Sequence, residues 1–307
     1  LKYSKYKPLR ILKSFFIPLF LRKKIDSYDI LYQNQLLGSW VPIIAKLITS
    51  KPLMIRTGYD MLTFAIKEQK SKFKIFLYKK LTAFSIHFAN TYSVTSKTDM
   101  EYLKSTFRNN DSKFVLRPNW VKETNYVELN KRQKNKILTV GRLVDQKNFE
   151  LLINEFENST GKLQIDIVGT GSNKEGLSKL AKSKKVDVNF LGRIENEDLK
   201  NLYSRYIYFI STSKFEGNPK TILEAMSAGC VVIASKIPNH QDIIKDNIDG
   251  KLFELTKPEL SKLIHDLNKD KTMLDAISKE AKKRIINNNS LEDVSKSFYK
   301  SFLNLLV

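Results

Sequence analysis

The chain has 307 residues, 42% of them hydrophobic, and carries 53 Lys and Arg against 32 Asp and Glu, a formal net charge of +21. This length and apolar content exclude a peptide or a disordered arm and predict two globular domains, each with its own core. Residues 1–135 hold 26 Lys and Arg and 9 Asp and Glu, whereas the remainder holds 27 and 23. The first half therefore indicates an anionic partner, unless its lysines form only a solvated surface.

The first 24 residues combine eight Lys and Arg, no acidic residue and the apolar run 15–21. Such a basic amphipathic segment suits anionic lipid, although it would equally suit a helix packed on its own domain. The run contains Pro18 and is far too short to cross a bilayer. The single Cys230 lies in an apolar run, which indicates a buried thiol and a reducing compartment. We expect a cytoplasmic protein, peripheral on the inner face of the cytoplasmic membrane.

The first half alternates short apolar runs with helical periodicity, a pattern typical of parallel sheets covered by helices. Strands are predicted at 29–32, 52–56, 92–95 and 114–116, with a helix over 37–49 and another from Thr98. Residues 1–125 are assigned to this first α/β domain. The polar stretch 126–136 has no apolar periodicity and is predicted to be a linker.

The second half repeats the alternation more regularly, with a domain predicted over 137–290. Its strands are predicted at 137–140, 164–168, 187–190, 208–210 and 231–234, with helical periodicity between successive strands. Five parallel strands with crossover helices predict a doubly wound sheet whose ligand lies at the carboxyl ends of the strands. A last apolar-periodic helix, within 291–307, is expected to return to the first domain.

An anion site is predicted where the strand at 208–210 gives way to a helix. Gly217 allows close backbone approach, and Pro219 suits the first turn of a helix whose free amides point towards a phosphate. Glu216 precedes those amides and Glu224 lies about one and a half turns into the helix. Carboxylates so placed are acceptors for sugar hydroxyls, which suits a nucleotide sugar. Alternatively, Glu216 only caps the helix and Glu224 is a surface residue.

Two cations follow the strand that ends at Gly141. Arg142 offers a planar guanidinium fork and Lys147 a point charge, the two devices that neutralise a diphosphate leaving group. In a chain with 53 basic residues, however, such a pair is also expected by chance.

Other cofactor and metal motifs are not found in the sequence. Gly169 and Gly171 begin like a dinucleotide fingerprint, but Lys174 occupies the third glycine position, so NAD and FAD are not expected. The three histidines are dispersed and have no neighbouring ligands at metal spacing. We therefore predict no metal and no cofactor, with the nucleotide sugar as a substrate.

These motifs occur in one order that resembles family 4 of the retaining glycosyltransferases, the glycosyl transferases of group 1. The order is Gly141-Arg142 with Lys147, the glycine turns at 168–171 and 190–193, the Glu216 to Glu224 spacing, and the segment 247–253. The resemblance implies a GT-B fold, in which two Rossmann-like, doubly wound parallel-sheet domains face each other across a cleft. The family's first strand and glycine-rich loop have no counterpart, so an incomplete N-terminal domain is expected.

The resemblance also implies the roles of the donor-site residues. Arg142 and Lys147 contact the donor diphosphate, Glu216 the transferred sugar, and Glu224 the ribose. Glu216, Arg142 and Lys147 would be the catalytic residues. The other donor-binding residues are Gly141, Arg193 in the turn that lines the base, and the phosphate cradle of Gly217, Asn218, Pro219, Lys220 and Thr221.

On the acceptor side the resemblance points to Thr57, Gly58 and Tyr59, and to Asn119 in a Pro-Asn-Trp turn. Two of these positions depart from the family pattern. Thr57 stands where many relatives have a His that meets the sugar, and Trp120 replaces a glycine.

The predicted reaction is transfer of a sugar, with retention, from a UDP- or GDP-sugar to a hydroxyl of a glycan or lipid-linked acceptor. Such a reaction belongs to the synthesis of bacterial surface polysaccharide, such as lipopolysaccharide or capsule. Two alternatives stay open, namely an inactive nucleotide-sugar-binding remnant and a basic nucleic-acid-binding protein. The latter is disfavoured because the basic residues and aromatics do not form a known reader motif, so no nucleic acid is expected as a partner.

Overall fold

The computed structural model describes residues 7–108, 111–157 and 163–306, which form two compact α/β units. The first unit contains the described residues up to Pro118 together with those from Ser295 onward. The second unit runs from Asn119 to Val294. No helix in these ranges is both long enough and apolar enough to span a membrane.

The first unit is built on a parallel sheet that has four strands in the described part of the chain, in the spatial order β1-β2-β3-β4. Its strands are β1 (Leu31–Asn34), β2 (Leu53–Arg56), β3 (Thr91–Val94) and β4 (Phe114–Leu116). Its helices are α1 (Lys7–Ser14), α2 (Ile17–Phe20), α3 (Arg22–Asp26), α4 (Trp40–Thr49), α5 (Met61–Lys67), α6 (Lys72–Phe88) and α7 (Lys97–Phe107). The core includes Ile43, Leu53, Ile55 and Leu103, because helices cover the sheet and exclude water from it.

The C-terminal part of the chain joins this first unit through aromatic contacts. Phe298 meets the Tyr32 ring edge-on, with centroids 5.6 Å apart, and packs against Phe302 at 4.6 Å. The guanidinium of Arg117, a buried residue, lies 4.5 Å from the centroid of the Phe298 ring. Burial lowers the pKa of Arg117 to about 10. The face of the Phe298 ring is therefore a main compensation for burying this charge.

The second unit is built on a parallel sheet of six strands among the described residues, in the order β10-β9-β8-β5-β6-β7. Its strands are β5 (Gln133–Val140), β6 (Gln164–Val168), β7 (Asp187–Gly192), β8 (Tyr206–Ser211), β9 (Val231–Ser235) and β10 (Lys251–Phe253). Its helices are α8 (Phe149–Glu155), α9 (Lys174–Ser183), α10 (Asn196–Tyr203), α11 (Lys220–Ser227), α12 (Pro238–Gln241), α13 (Leu260–Lys269) and α14 (Lys271–Asn289), and α15 (Leu291–Leu303) follows. Numbered along the chain, the strands have the order 3-2-1-4-5-6 of a Rossmann sheet, which reverses direction between β5 and β8.

The linker predicted over 126–136 is wrong, because this segment is part of the second unit. Arg132 is buried and donates hydrogen bonds to the backbone oxygens of Val127, Tyr206, Ala228 and Gly229 at 2.8–3.2 Å. Strand β5 begins at Gln133, four residues before the predicted strand. The predicted boundary at 125 is wrong as well, since the second unit already begins at Asn119.

We expect Phe298→Ala to weaken the attachment of the C-terminal segment to the first unit. The substitution removes the ring that covers Arg117 and contacts Tyr32, and we expect it to lower the free energy of unfolding by about 2 kcal/mol. Urea unfolding followed by circular dichroism measures this change. Tyr299→Ala, which removes an exposed neighbouring ring, should change stability by less than about 0.5 kcal/mol. Equal effects of the two substitutions would contradict the assignment.

Candidate active site

The carboxyl ends of β5 and β8 form the point at which the second sheet reverses its strand order. The two strands pair directly, with Ile137 opposite Tyr208 and Leu138 opposite Phe209. The loop after β5 carries residues 141–148, and the loop after β8 carries residues 212–219. In doubly wound sheets the ligand lies in the crevice at this reversal. The strand order therefore brings together the two sequence clusters that carry the predicted donor site.

The closest contact between these loops is the ion pair of Lys147 and Glu216. Lys147 Nζ lies 2.5 Å from Glu216 Oε1, and the two side chains are only 15% and 8% exposed. Ser213 Oγ donates to the same oxygen at 2.7 Å, whereas among the described residues Glu216 Oε2 receives only the longer contact from Gln146 Nε2 at 3.4 Å. The carboxylate is thus held rigidly by one oxygen, and the other oxygen retains acceptor capacity.

Backbone and side-chain hydrogen bonds hold the two loops in register. Thr212 Oγ1 donates to the carbonyls of Lys147 and Asn148 at 2.9 and 3.0 Å. Gln146 is both acceptor and donor towards the loop after β8. Its carbonyl accepts from Lys214 N at 2.9 Å, and its Nε2 donates to Phe215 O at 2.8 Å. The position of Lys147 relative to Glu216 is therefore fixed by several bonds besides their own.

Three glycines allow close packing around the loop after β5. A Cβ atom at Gly141 would stand 3.1 Å from Lys147 Cε, so the glycine leaves room for the lysine side chain. Gly169 has a φ of +140°, and a Cβ there would lie 1.9 Å from Gly141 O, while one at Gly171 would lie 2.3 Å from Leu143 O. The Gly169-Thr170-Gly171 turn therefore serves the close approach of two loops.

The predicted phosphate cradle begins helix α11. Pro219 is the N-cap residue, so the helix starts at Lys220, one residue later than predicted. The amides of the first turn have no acceptor within an α-helix and carry the positive end of its dipole. Asn218 Oδ1 accepts from the amide of Asn119 at 2.8 Å, and Asn119 Nδ2 donates to Asn218 O at 2.7 Å. Asn119, predicted on the acceptor side, thus belongs to the second unit and supports the cradle.

Glu224 is not the surface residue of the alternative interpretation, since its side chain is only 17% exposed. Tyr203 Oη donates to Glu224 Oε2 at 3.2 Å, and Lys220 Nζ lies 3.5 Å from Glu224 Oε1. Lys220 also lies over the Trp120 ring, 5.4 Å from its centroid. Burial raises the pKa of Glu224, and the nearby lysine opposes that shift. Trp120, the departure from the family's glycine, therefore helps to orient a cation beside this carboxylate.

The remaining predicted residues lie outside this cluster. Arg142 is exposed, and its side chain makes no hydrogen bond or ion pair with the described residues. Arg193 is exposed and pairs with Glu195 at 3.4 Å. Thr57, Gly58 and Tyr59 follow β2 in the first unit, where Gly58 O accepts from Thr95 Oγ1 and Tyr59 packs on Phe64.

His240 is a part of the site that the sequence did not reveal. It follows β9 and is completely buried. Its Nδ1 lies 2.8 Å from Ser235 O, to which it donates, and no described residue bonds to Nε2. Ser235 Oγ donates to Ser213 O at 2.6 Å, which links the histidine to the residue that holds Glu216. Burial lowers the pKa of His240 to about 4, and the Glu216 carboxylate only partly offsets this effect.

No group of three or more His, Cys, Asp or Glu side chains suited to hold a metal ion occurs within the ranges that the structure describes. The side chains gathered at the sheet reversal are instead a lysine, carboxylates, hydroxyls and a neutral histidine.

Residues 121–284, more than half of the chain, match the family model described as glycosyl transferases group 1. The matched segment contains the ion pair, the start of α11 and Glu224. The resemblance to the glycosyl transferases of group 1 is therefore confirmed at the level of that family.

Two curated relatives illustrate the likeness in sequence. The UDP-Gal:alpha-D-GlcNAc-diphosphoundecaprenol alpha-1,3-galactosyltransferase of Escherichia coli is 27% identical over 294 residues, which are 88% of this chain and 74% of the relative. The GtfA subunit of the UDP-N-acetylglucosamine--peptide N-acetylglucosaminyltransferase of Streptococcus agalactiae is 28% identical over 136 residues. That match covers 43% of this chain and 27% of the relative, so the chain spans about a quarter of it.

Among solved structures, HepE of Anabaena in complex with UDP and glucose has a TM-score of 0.79. The match covers 94% of this chain and 81% of that one, at 16% identity, and shows a shared fold. The prediction of two Rossmann-like parallel-sheet units of GT-B type is therefore confirmed.

We expect His240 to make stability fall in mild acid. Its pKa is lowered from 6.5 to about 4 in the folded state, so between these values the unfolded chain binds the extra proton. Stability is fully present above pH 6.5 and is lost as the pH falls towards 4, by about 3 kcal/mol for this group. Urea unfolding of the wild type and His240→Asn across this range measures the effect as a difference between their two curves.

The comparison of wild type with the His240 variant is needed because the titration of Asp60 changes the stability in the opposite direction over the same pH range. Burial raises the pKa of Asp60 to about 6, so its contribution favours folding at the acidic end of the same range. This contribution cancels between the wild type and the His240 variant. Parallel stability curves for the two proteins would contradict a buried neutral histidine.

Proposed function

Because this chain belongs to the glycosyl transferases group 1 family, we propose that it transfers a sugar from a UDP- or GDP-sugar to an acceptor hydroxyl, with retention at the anomeric carbon. The observation that carries this proposal is the buried Lys147–Glu216 contact at the sheet reversal, next to the start of α11. It combines a cation for the diphosphate, a carboxylate for the sugar and free amides for phosphate oxygens within one cluster.

Stabilisation of the leaving diphosphate is the main electrostatic task of such a reaction. Lys147 is held at the reversal with little exposure, so its charge acts in a poorly screened environment. Arg142 is exposed and unengaged among the described residues, so it can close on the diphosphate when the donor binds. The amides of Lys220 and Thr221 add the positive end of α11. With these three sources of positive charge, the proposed reaction needs no metal.

Glu216 orients the transferred sugar in this proposal. Its Oε1 is occupied by Lys147 and Ser213, whereas Oε2 has only the 3.4 Å contact from Gln146 and can accept from a sugar hydroxyl. A negative charge there also favours the positive charge that develops on the sugar ring as the bond to the diphosphate breaks. We therefore assign Glu216 to orientation and charge stabilisation rather than to covalent catalysis.

Glu224 binds the ribose in this proposal. Tyr203 and Lys220 fix its carboxylate from two directions, and a carboxylate has enough lone pairs to accept from two neighbouring hydroxyls as well. Its raised pKa means that donor affinity should weaken in acid, once the carboxylate takes up a proton.

The acceptor in this proposal is a lipid-linked or surface glycan. The Escherichia coli relative is named for an acceptor linked to diphosphoundecaprenol, which supports a lipid-linked class. Within the predicted basic segment 1–24, residues 1–6 lie outside the described residues. In the rest, Leu12, Phe16 and Phe20 are exposed among basic side chains. This supports peripheral attachment to an anionic membrane surface.

Calorimetry with UDP-, GDP- and ADP-sugars tests the donor site. We expect one nucleotide sugar to bind and Glu224→Ala to weaken it about tenfold or more, because the ribose hydroxyls lose a charged acceptor. The exposed Glu254, which pairs with Lys236, provides a matched control, and Glu254→Gln should bind as the wild type does. The proposed donor site fails if none of the sugars binds, or if the two variants bind alike.

Measurements of turnover distinguish the role proposed for Glu216 from that proposed for Glu224. We expect Glu216→Gln to lower kcat about a hundredfold with little change in donor affinity, because its charge matters most as the sugar–phosphate bond breaks. Release of the nucleoside diphosphate in the presence of a diphosphoundecaprenol-linked sugar measures turnover. A loss of donor affinity with unchanged kcat would contradict the role given to Glu216.

Chelation tests the proposed independence from metal. Because Lys147, Arg142 and the start of α11 supply the positive charge, excess EDTA should change kcat less than about twofold. A large loss of activity that Mg²⁺ or Mn²⁺ restores would overturn this part of the proposal.

A further inference from the structure

Helix α6 has one buried face and, on its opposite side, an exposed apolar face. Thr82, Ser85 and Ile86 are buried on the face that packs on the first unit. On the opposite face Phe73, Phe76, Leu77 and Phe84 are 72%, 56%, 51% and 41% exposed. At 100° per residue these four side chains fall within an arc of about 100°, which makes them one continuous α6 stripe.

Lysines surround the α6 stripe. Lys72 and Lys79 lie along one side of it and Lys74 along the other, while Lys80 lies within it, with Nζ 5.6 Å from the centroid of Phe76. The helix contains no Asp or Glu. An exposed apolar row flanked by cations, on a helix without acidic residues, is typical of a surface whose rings insert into a membrane interface while the ammonium groups reach the lipid phosphates.

The α6 stripe is connected to the exposed N-terminal helices through α4. Ser85 Oγ of α6 lies 2.8 Å from Ser39 Oγ, which directly precedes α4. The next residue, Trp40, stacks on Phe15 at 5.6 Å between ring centroids, and Phe15 lies between α1 and α2. Helix α4 and the residue before it thus contact both α6 and the segment between α1 and α2.

Charge decides which occupant fits this surface. A second copy of the chain would bring its own basic surface, in a protein of net charge +21, and the two lysine borders would repel each other. An anionic lipid surface suits both kinds of side chain, because its hydrocarbon boundary accommodates the phenylalanines and its phosphates attract the lysines.

We propose that the α6 stripe inserts into the interface of an anionic bilayer and is a membrane-docking surface of the first unit, in addition to the exposed apolar residues of α1 and α2. This inference deepens the membrane attachment given under the proposed function, but it does not depend on donor binding or on sugar transfer. It assigns to α6 a role that the basic N-terminal segment alone would not require.

Vesicle flotation tests the α6 stripe directly. We expect the full chain to float with phosphatidylcholine vesicles that contain about 30% phosphatidylglycerol, and to bind them less at high salt. Phe73→Ser, Phe76→Ser and Leu77→Ser combined should reduce vesicle affinity about tenfold or more, because three apolar side chains lose their burial. The matched control is Ile248→Ser with Tyr299→Ser, which removes exposed apolar side chains elsewhere and should bind like the wild type.

A fluorescent label provides a second test, which reports insertion of the α6 stripe while the protein is bound to vesicles. The one native cysteine, Cys230, is fully buried, so Leu77→Cys can be labelled selectively with an environment-sensitive dye. We expect a blue shift of the dye on addition of anionic vesicles, and none when the label is placed at Tyr299→Cys.

The outcomes are distinct for this inference and for the proposed function. Wild-type flotation by the triple serine variant, or an unshifted dye at position 77, overturns the role of α6 even if Leu12→Ser with Phe16→Ser abolishes flotation. A stripe variant that changes only the oligomeric state, measured by light scattering, assigns the stripe to a second copy and also overturns the inference. Donor calorimetry is unaffected in either case, so the glycosyltransferase proposal is tested separately.

Discussion

The contact between Lys147 and Glu216 is the interaction on which the candidate site of the second unit depends. It joins the loops after β5 and β8, the two neighbouring strands between which the sheet reverses its order. Only a parallel sheet with this reversal places two strand ends side by side without a crossover helix between them. The cation and the carboxylate, 69 residues apart in sequence, meet there because both loops begin at the carboxyl ends of directly paired parallel strands.

Burying such a pair requires compensation from its surroundings. Ser213 and Gln146 donate to the carboxylate, and Gly141 leaves space for the lysine stem. Removing one partner of a buried pair leaves an uncompensated charge at a cost of several kcal/mol, so these neighbours constrain each other. His240 extends this layer through Ser235 and remains neutral, because burial opposes its charged form more strongly than Glu216 favours it.

The first unit accommodates its surplus of cations in two ways. Arg117 is buried, and its guanidinium lies against the Phe298 ring, which also holds the C-terminal segment to this unit. The lysines of α6 remain in solvent on both sides of an exposed apolar row. Inside the unit, an aromatic ring thus stabilises a buried cation. Outside it, in our inference, aromatic rings and lysines together bind the lipid surface.

The sequence by itself determined the alternation of strands and helices and placed both donor clusters at strand ends, because periodicity and glycine positions are local signals. It could not show that 126–136 is part of the second unit, since Arg132 is buried by carbonyls as distant as Gly229. Nor could it connect His240 with Glu216, because only the neighbouring strands β8 and β9 bring their loops together. Only the tertiary structure decided that α6 buries the face with Thr82 and Ser85 and leaves its apolar stripe exposed, because the neighbouring elements determine which face of a helix is covered.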